Sequence, residues 1–546
     1  MPRLRLLQSH LLPRRLSRQV AGSLSRGARS LLLGLVVVAI PLPAHAGQPE
    51  AETTPPPAPA APPPLPAPAG QPTTESISLG NAVVRAVDGN LDLQRARVAI
   101  SSSNAVLLSR RGKFDVQLNA TGTLGQTSTR KLGQDDIEHG TSKTSSISVG
   151  LARALETGGH ISLDYHRGTN RTDIVTACGG GIGENVSCAV NDTGLGVTLT
   201  QPLLQGMGPW VAEEEIRRGV VERDIAVLNR QAQAATVVRD VIVAYWQLAY
   251  AHDVLAIQRA SLGLAQEQLR STNAQINVGK LARVDAAAAE QAVSGTMLQL
   301  VSGEEDLLAR TLRLRELLGL DTNLPVKLLV TTDHAEPFVG AIDEQQKIAL
   351  AMAANPQLQA TRMGRRLTEV ELAVAKSLIL PRLDVNASFS TSGSDPAASV
   401  AYRQARDLDN KSWTLGLTFG LPLQNRESRG RLEQARLDRE RVDLDVDSQE
   451  RAIRNEVIRL VTAIRNGKRR IDLARQTVGF GETNLKAEKA RFALGRSTNN
   501  DVLRVQQDLK TAQLQAVSAG LEVLYNLAAL EALTGEILDH YGIRLR

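Results

Sequence analysis

Aromatic residues make up only 3% of this 546-residue chain, and there are two cysteines, so neither an aromatic-rich core nor a disulfide framework organises it. Eight histidines are scattered without metal-ligand spacing, and no G-x-S-x-G or P-loop sequence occurs; no metal, no cofactor and no catalytic residue is expected. Carboxylates are abundant but stand beside Lys and Arg, as in Glu433-Gln-Ala-Arg-Leu-Asp-Arg-Glu-Arg441, the composition of a solvated helix face. Proline is missing between Trp210 and Leu324 and again from Leu423 onward, which leaves room for long helices.

The basic balance is local. The first thirty residues carry seven arginines and no acid, and without them the net charge of +6 falls to about −1, so nucleic-acid binding loses its support. The apolar run Leu31-Leu-Leu-Gly-Leu-Val-Val-Val-Ala-Ile40 and Pro41-Leu-Pro-Ala-His-Ala46 follow, the order of a secretory signal over 1–46. Ten apolar residues are too few to span a bilayer as a helix. Residues 47–75 are rich in proline and alanine and read as an extended tether.

Apolar residues recur every seven positions at Val457, Ile464, Ile471, Val478, Leu485 and Phe492, the spacing of a coiled-coil seam. Subtracting 216 gives Val241, Leu248, Leu255, Leu262, Leu269 and Ile276, then Gly279 opposite Gly495, Asp285 opposite Asp501, and Leu318-Gly319 opposite Thr534-Gly535. The chain therefore reads as two repeats, 76–325 and 343–540, joined by a connector at 326–342 and followed by a tail at 541–546. Each opens with an amphipathic helix, roughly 78–112 and 343–379, holding Asn90-Leu-Asp-Leu-Gln and Asn355-Pro-Gln-Leu-Gln.

After each opening helix the period changes to two. Phe114, Val116, Leu118 and Ala120 alternate with polar residues, as do Leu383, Val385, Ala387 and Phe389; further runs are 147–151, 161–165, 195–199 and 413–419. Pro202 and Pro422 close the two strand regions. In a soluble protein such strands would be half-buried sandwich strands; in an exported chain they equally fit a transmembrane barrel, facing lipid and lumen alternately, and the export signal with the long helical repeats favours the barrel. The first region is 45 residues longer, enough for an added hairpin turning at Glu156-Thr-Gly-Gly159 and a glycine-rich loop with Cys178 and Cys188, read as one disulfide.

In this order, and twice over, these landmarks resemble the TolC-like outer membrane efflux proteins, the outer-membrane factors of tripartite efflux and type I secretion systems. The resemblance covers about residues 76–540. It implies a mixed α/β membrane protein: a homotrimer whose protomers each give four strands to a transmembrane β-barrel in outer-membrane lipid and two helical hairpins to a periplasmic coiled-coil barrel. It also implies a passive duct, with a periplasmic adaptor docking at the hairpin tips and an inner-membrane RND or ABC transporter supplying energy. Here the tips carry Val278, Gly279, Leu281, Leu494 and Gly495. Asp501 matches the first of two aspartates that the family places as a ring at the constriction, which would attract cations; the second position holds Arg504, so a salt-bridged lock is an equal alternative to a cation-trapping ring. Asp285 is the matching residue of the first copy. The competing reading is a periplasmic coiled-coil scaffold or adaptor without a barrel, and the two part on whether the alternating runs face lipid.

Overall fold

The computed structural model describes residues 74–132, 137–172, 188–321, 326–333 and 340–545. The expected signal, nearly all of the tether and the loop with Cys178 lie outside the described residues. Strand β1 (Thr74–Ile77) is followed by α1 (Leu79–Gly89), α2 (Leu91–Arg111) and four strands, β2 (Gln117–Leu132), β3 (Ile137–Ala154), β4 (His160–Thr172) and β5 (Cys188–Pro202). A turn of helix, α3 (Pro209–Ala212), leads into α4 (Glu214–Asn277), which reverses into α5 (Val284–Leu317). The second half runs β6 (Leu328–Thr331), α6 (Glu344–Ala354), α7 (Pro356–Leu378), β7 (Arg382–Asp395), α8 (Ala398–Arg406), β8 (Asn410–Gly420), α9 (Arg426–Ala493), α10 (Asn499–Thr534) and α11 (Ile537–His540). Helices α4 and α9 have 64 and 68 residues, close to 100 Å each at about 1.5 Å per residue.

The seven-residue seams pack as their spacing requires. On α9, Val457, Ile464, Ile471, Leu485 and Phe492 are buried, and on α4 so are Val241, Leu248 and Leu255. Two of the few aromatics lie in the α4 core: Tyr245 stacks edge-on against Trp246 and donates its hydroxyl to Asp333 Oδ2 at 2.7 Å. That burial, with the Asp333 hydrogen bond, pushes the phenol up to about 12.

Each opening helix is broken where the sequence suggested continuity, because its asparagine caps a new helix. Asn90 Oδ1 accepts Asp92 N–H and Leu93 N–H, while its Nδ2 donates to Leu317 O at 3.0 Å. Asn355 Oδ1 accepts Leu358 N–H, and its Nδ2 donates to Leu533 O at 2.9 Å. Each asparagine thus satisfies the start of one helix and the end of another, and both are buried. Gly319 and Gly535, at φ 65° and 79°, terminate α5 and α10 against the backbone of Gly89 and Ala354. The landmarks read as separate in the sequence are in contact.

A single antiparallel sheet of six strands, in the order β2-β3-β4-β5-β7-β8, receives every long strand. The added hairpin β3–β4 turns at 155–159 as expected and lies inside the sheet, so the protomer gives six strands rather than the four that the resemblance implied. Phe114 is not in a strand: Gly112–Phe114 forms a 3₁₀ turn, closed by Asp115 N–H on Gly112 O, and β2 begins at Gln117. Register aligns one apolar row across all six strands, Leu118, Leu151, Leu163, Val197, Phe389 and Trp413. The row on the other face reads Gln117, Ala152, Ser162, Thr198, Ser388 and Thr414. The apolar face is open, with Leu118, Trp413 and Leu417 at 68%, 75% and 71% exposure.

Gly319→Ala is expected to cost about 3 kcal/mol, since a Cβ at positive φ also meets the Gly89 carbonyl, whereas Gly122→Ala, with nothing nearby, stays within about 0.5 kcal/mol. Thermal unfolding followed by helical circular dichroism separates the two.

Candidate channel gate at the helical tips

Both hairpins reverse by the same chemistry. At the first tip, Gly279 N–H bonds Ile276 O and Lys280 N–H bonds Gln275 O; at the second, Gly495 N–H bonds Phe492 O and Arg496 N–H bonds Arg491 O. These paired bonds need a left-handed residue, supplied by Gly279 at φ 76° and Gly495 at φ 71°. No heavy atom would crowd a Cβ at either glycine, so backbone conformation alone selects it. Val278 and Leu494 stand exposed at 68% and 74%, while Leu281 packs against the apolar cluster of Leu485, Phe492, Val502 and Val505.

Asp501 is engaged first by its own helix. Its Oδ2 accepts Thr498 Oγ1–H at 2.7 Å and Thr498 N–H at 3.3 Å, while Thr498 Oγ1 accepts Asp501 N–H, a reciprocal capping box that starts α10. The pair with Arg504 is longer, at 3.6 Å, and open to solvent. Thr498 donation, assisted by Arg504, holds the Asp501 carboxyl below its usual range. Asp285 repeats half of this device, its Oδ2 accepting Ala282 N–H at 3.1 Å. Cys188 opens β5 and is disulfide-bonded; Cys178 lies outside the described residues.

One residue absent from the sequence reading joins the two hairpins. Asn499, 3% exposed, accepts Gln268 Nε2–H at 2.9 Å and Thr272 Oγ1–H at 3.2 Å and donates to Asp285 O at 3.1 Å. Farther along, Lys489 pairs with Glu267 at 3.0 Å, and buried Lys510, its amine held below the usual range by desolvation, donates to Gln299 Oε1. The signal was in α4: Gln268 and Thr272 are polar residues at helical spacing on a face that packs, which marks a polar partner across the interface.

A sheet with one apolar and one polar face, carried on paired coiled-coil hairpins, is the architecture of a membrane channel extended by helices. The outer membrane efflux protein family model matches residues 160–320 and 348–536, and the chain belongs to that family. It is 23% identical over 364 residues to the outer membrane efflux protein BepC of Brucella suis, covering 64% of this chain and 74% of that one. It is 25% identical over 358 residues to the outer membrane protein TolC of Escherichia coli, covering 64% and 70%. The fold matches the CmeC outer membrane channel of Campylobacter jejuni with a TM-score of 0.61 at 14% identity, over 84% of this chain and 85% of that one. The chain is therefore an outer-membrane channel reaching into the periplasm, and the soluble-scaffold reading is set aside.

With the Asp501 carboxyl below its usual range, the cap is complete above about pH 4 and is lost as pH falls through the depressed value. Amide exchange in the first turn of α10 should accelerate below that pH in the wild type. In Asp501→Asn the turn should already exchange faster at neutral pH and show no acid step; an unchanged step would remove the assignment. Asn499→Ala leaves Gln268 and Thr272 without their acceptor and should cost about 1–3 kcal/mol, measured by chemical unfolding.

Proposed function

We propose that three copies of the chain close their sheets edge to edge, β8 of one on β2 of the next, into one transmembrane barrel of eighteen strands. The observation carrying this is the continuous apolar row from Leu118 to Trp413, together with sheet edges at β2 and β8 that have no partner among the described residues. A lone sheet cannot sit in lipid with its edge amides unpaired, so closure needs further copies. The threefold number comes from the resemblance. Barrel diameter grows about linearly with strand number, so eighteen strands enclose a pore about half as wide again as twelve. Tyr165, Phe389, Trp413 and Phe419 share the lipid face, and Asp164, Asp192 and His166 face the lumen.

Below the membrane the paired hairpins, as two repeats of one unit, assemble into the helical tunnel. Apolar side chains left open on one protomer, among them Leu298 and Val301 of α5 and Leu437, Leu444 and Phe480 of α9, supply the seams between neighbours. The tips form the periplasmic entrance. Asp501 and Arg504 line its narrowest part, Asp285 supports it, and Val278 and Leu494 are the apolar points a periplasmic adaptor grips. The protein performs no chemistry: an inner-membrane RND or ABC transporter drives cargo through it.

Single-channel conductance of the purified full chain in a planar bilayer tests this. Asp501→Ala, Arg504→Ala and Asn499→Ala should each enlarge the conductance steps, Asn499→Ala most. Unchanged steps in all three would remove the gate assignment, and a protein that never inserts would overturn the barrel.

A further inference from the structure

The sheet end remote from the long helices carries a second pattern on its apolar face. Above the band of apolar rows, Arg167 stands beside Ile147, and two register steps higher Gln126, Lys143 and Arg171 form one row across β2, β3 and β4. Among the described strand residues on this face and end, Arg130, Lys143, Arg167, Arg171 and Lys411 are basic and exposed. Asp395 alone is acidic, and its Oδ1 is already occupied by Ala397 N–H at 2.8 Å. Lys143, Arg167 and Arg171 form no ion pair among the described residues. On the opposite face, one position from the Arg167 row, Asp192 pairs in register with Gly168 and carries the other sign.

These cations wall a concave surface. Two adjoining grooves of about 510 and 500 Å³ run along β2–β4, the first lined by Lys143 and Arg171, the second by Arg167, with Gly122, Ser145 and Thr169 as their low floor. Leu124 borders both. At the β5–β7 end the same face is covered by α8, whose Ala405 O accepts Thr391 Oγ1–H and whose Ala401 lies over Gly393. The grooves are the uncovered part. Four residues apart on one strand, Arg167 and Arg171 are separated by about 13 Å, the length of a phosphorylated disaccharide.

We propose that this groove binds the phosphorylated saccharide headgroup of an anionic lipid in the outer leaflet. The inference rests on the barrel reading, which turns this face to lipid. Arginine fork donors suit phosphate oxygens, the hydroxyls of Ser145 and Thr169 and the amide of Gln126 suit sugar hydroxyls, and the apolar rows beneath receive acyl chains. All three cations belong to β3 and β4, so the hairpin that widens the sheet also brings the site.

The test is native mass spectrometry of the detergent-solubilised full chain, titrated with a bisphosphorylated disaccharide lipid. The Lys143→Gln, Arg167→Gln, Arg171→Gln triple variant should bind it at least about tenfold more weakly, and Arg439→Gln on α9 should bind as wild type does. On the wild type, the same lipid stripped of its phosphates should bind weakly, and neither phosphatidylglycerol nor inorganic phosphate should displace the intact lipid. Equal binding by the triple variant, or of the stripped lipid, overturns the site, as does displacement by phosphatidylglycerol or by phosphate. Conductance of the same samples separates the two readings: a triple variant that forms wild-type channels while losing lipid supports the site. A wild type that forms none overturns the barrel, and the lipid site with it.

Discussion

A hydrogen-bonded backbone cannot end in hydrocarbon, and much of this molecule follows from that constraint. A six-stranded sheet with one oily face is unstable in water, and its open edges are unstable in lipid. The closure with copies of itself proposed above, set in lipid, resolves both and accounts for the leucines and the tryptophan that the protomer leaves uncovered. It also explains why the sheet alternates cleanly: one register slip would exchange the oily and the polar face along a whole strand.

The helices meet a different demand. Hairpins built on helices near 100 Å long bury only a narrow stripe each, so their ends have to be fixed chemically. Asn90 and Asn355 do this at one end, each joining a helix start to a helix finish, with Gly319 and Gly535 permitting the close approach. At the other end Gly279 and Gly495 reverse the chain, while Asn499 ties one hairpin to the other. Order is thus set by a few polar hubs on a uniform apolar seam, and the two hairpin ends can differ in firmness although their seams are alike.

Much of this was legible in the sequence, because period and offset are one-dimensional properties. The seven-residue seams, the two glycine reversals, the period-two strands and the added hairpin all follow from spacing. What spacing did not carry is contact. The breaks at Asn90 and Asn355 come from local caps on the next helix, which an apolar period running across both does not register, and their second partners are carbonyls more than 170 residues away. Asn499 was missed because its partners lie on the other hairpin. Asp501 stood out as a candidate at the constriction, yet its closest bonds are local, to Thr498; the sequence Thr-Asn-Asn-Asp was itself a capping signature. Whether the hairpin joined the sheet depended on pairing, which alternation alone does not decide.

The inserted hairpin has one more consequence. Its inner turn at 155–159 continues into no helix; Thr157 O instead accepts the Gly208 N–H just before α3. In the assembly proposed above, each protomer sends six strands upward from four long helices, and the proposed duct broadens at the junction. A flexible cargo threaded through it is most confined below that step and least confined above it. Its conformational entropy rises on crossing, and thermal motion then favours exit over return.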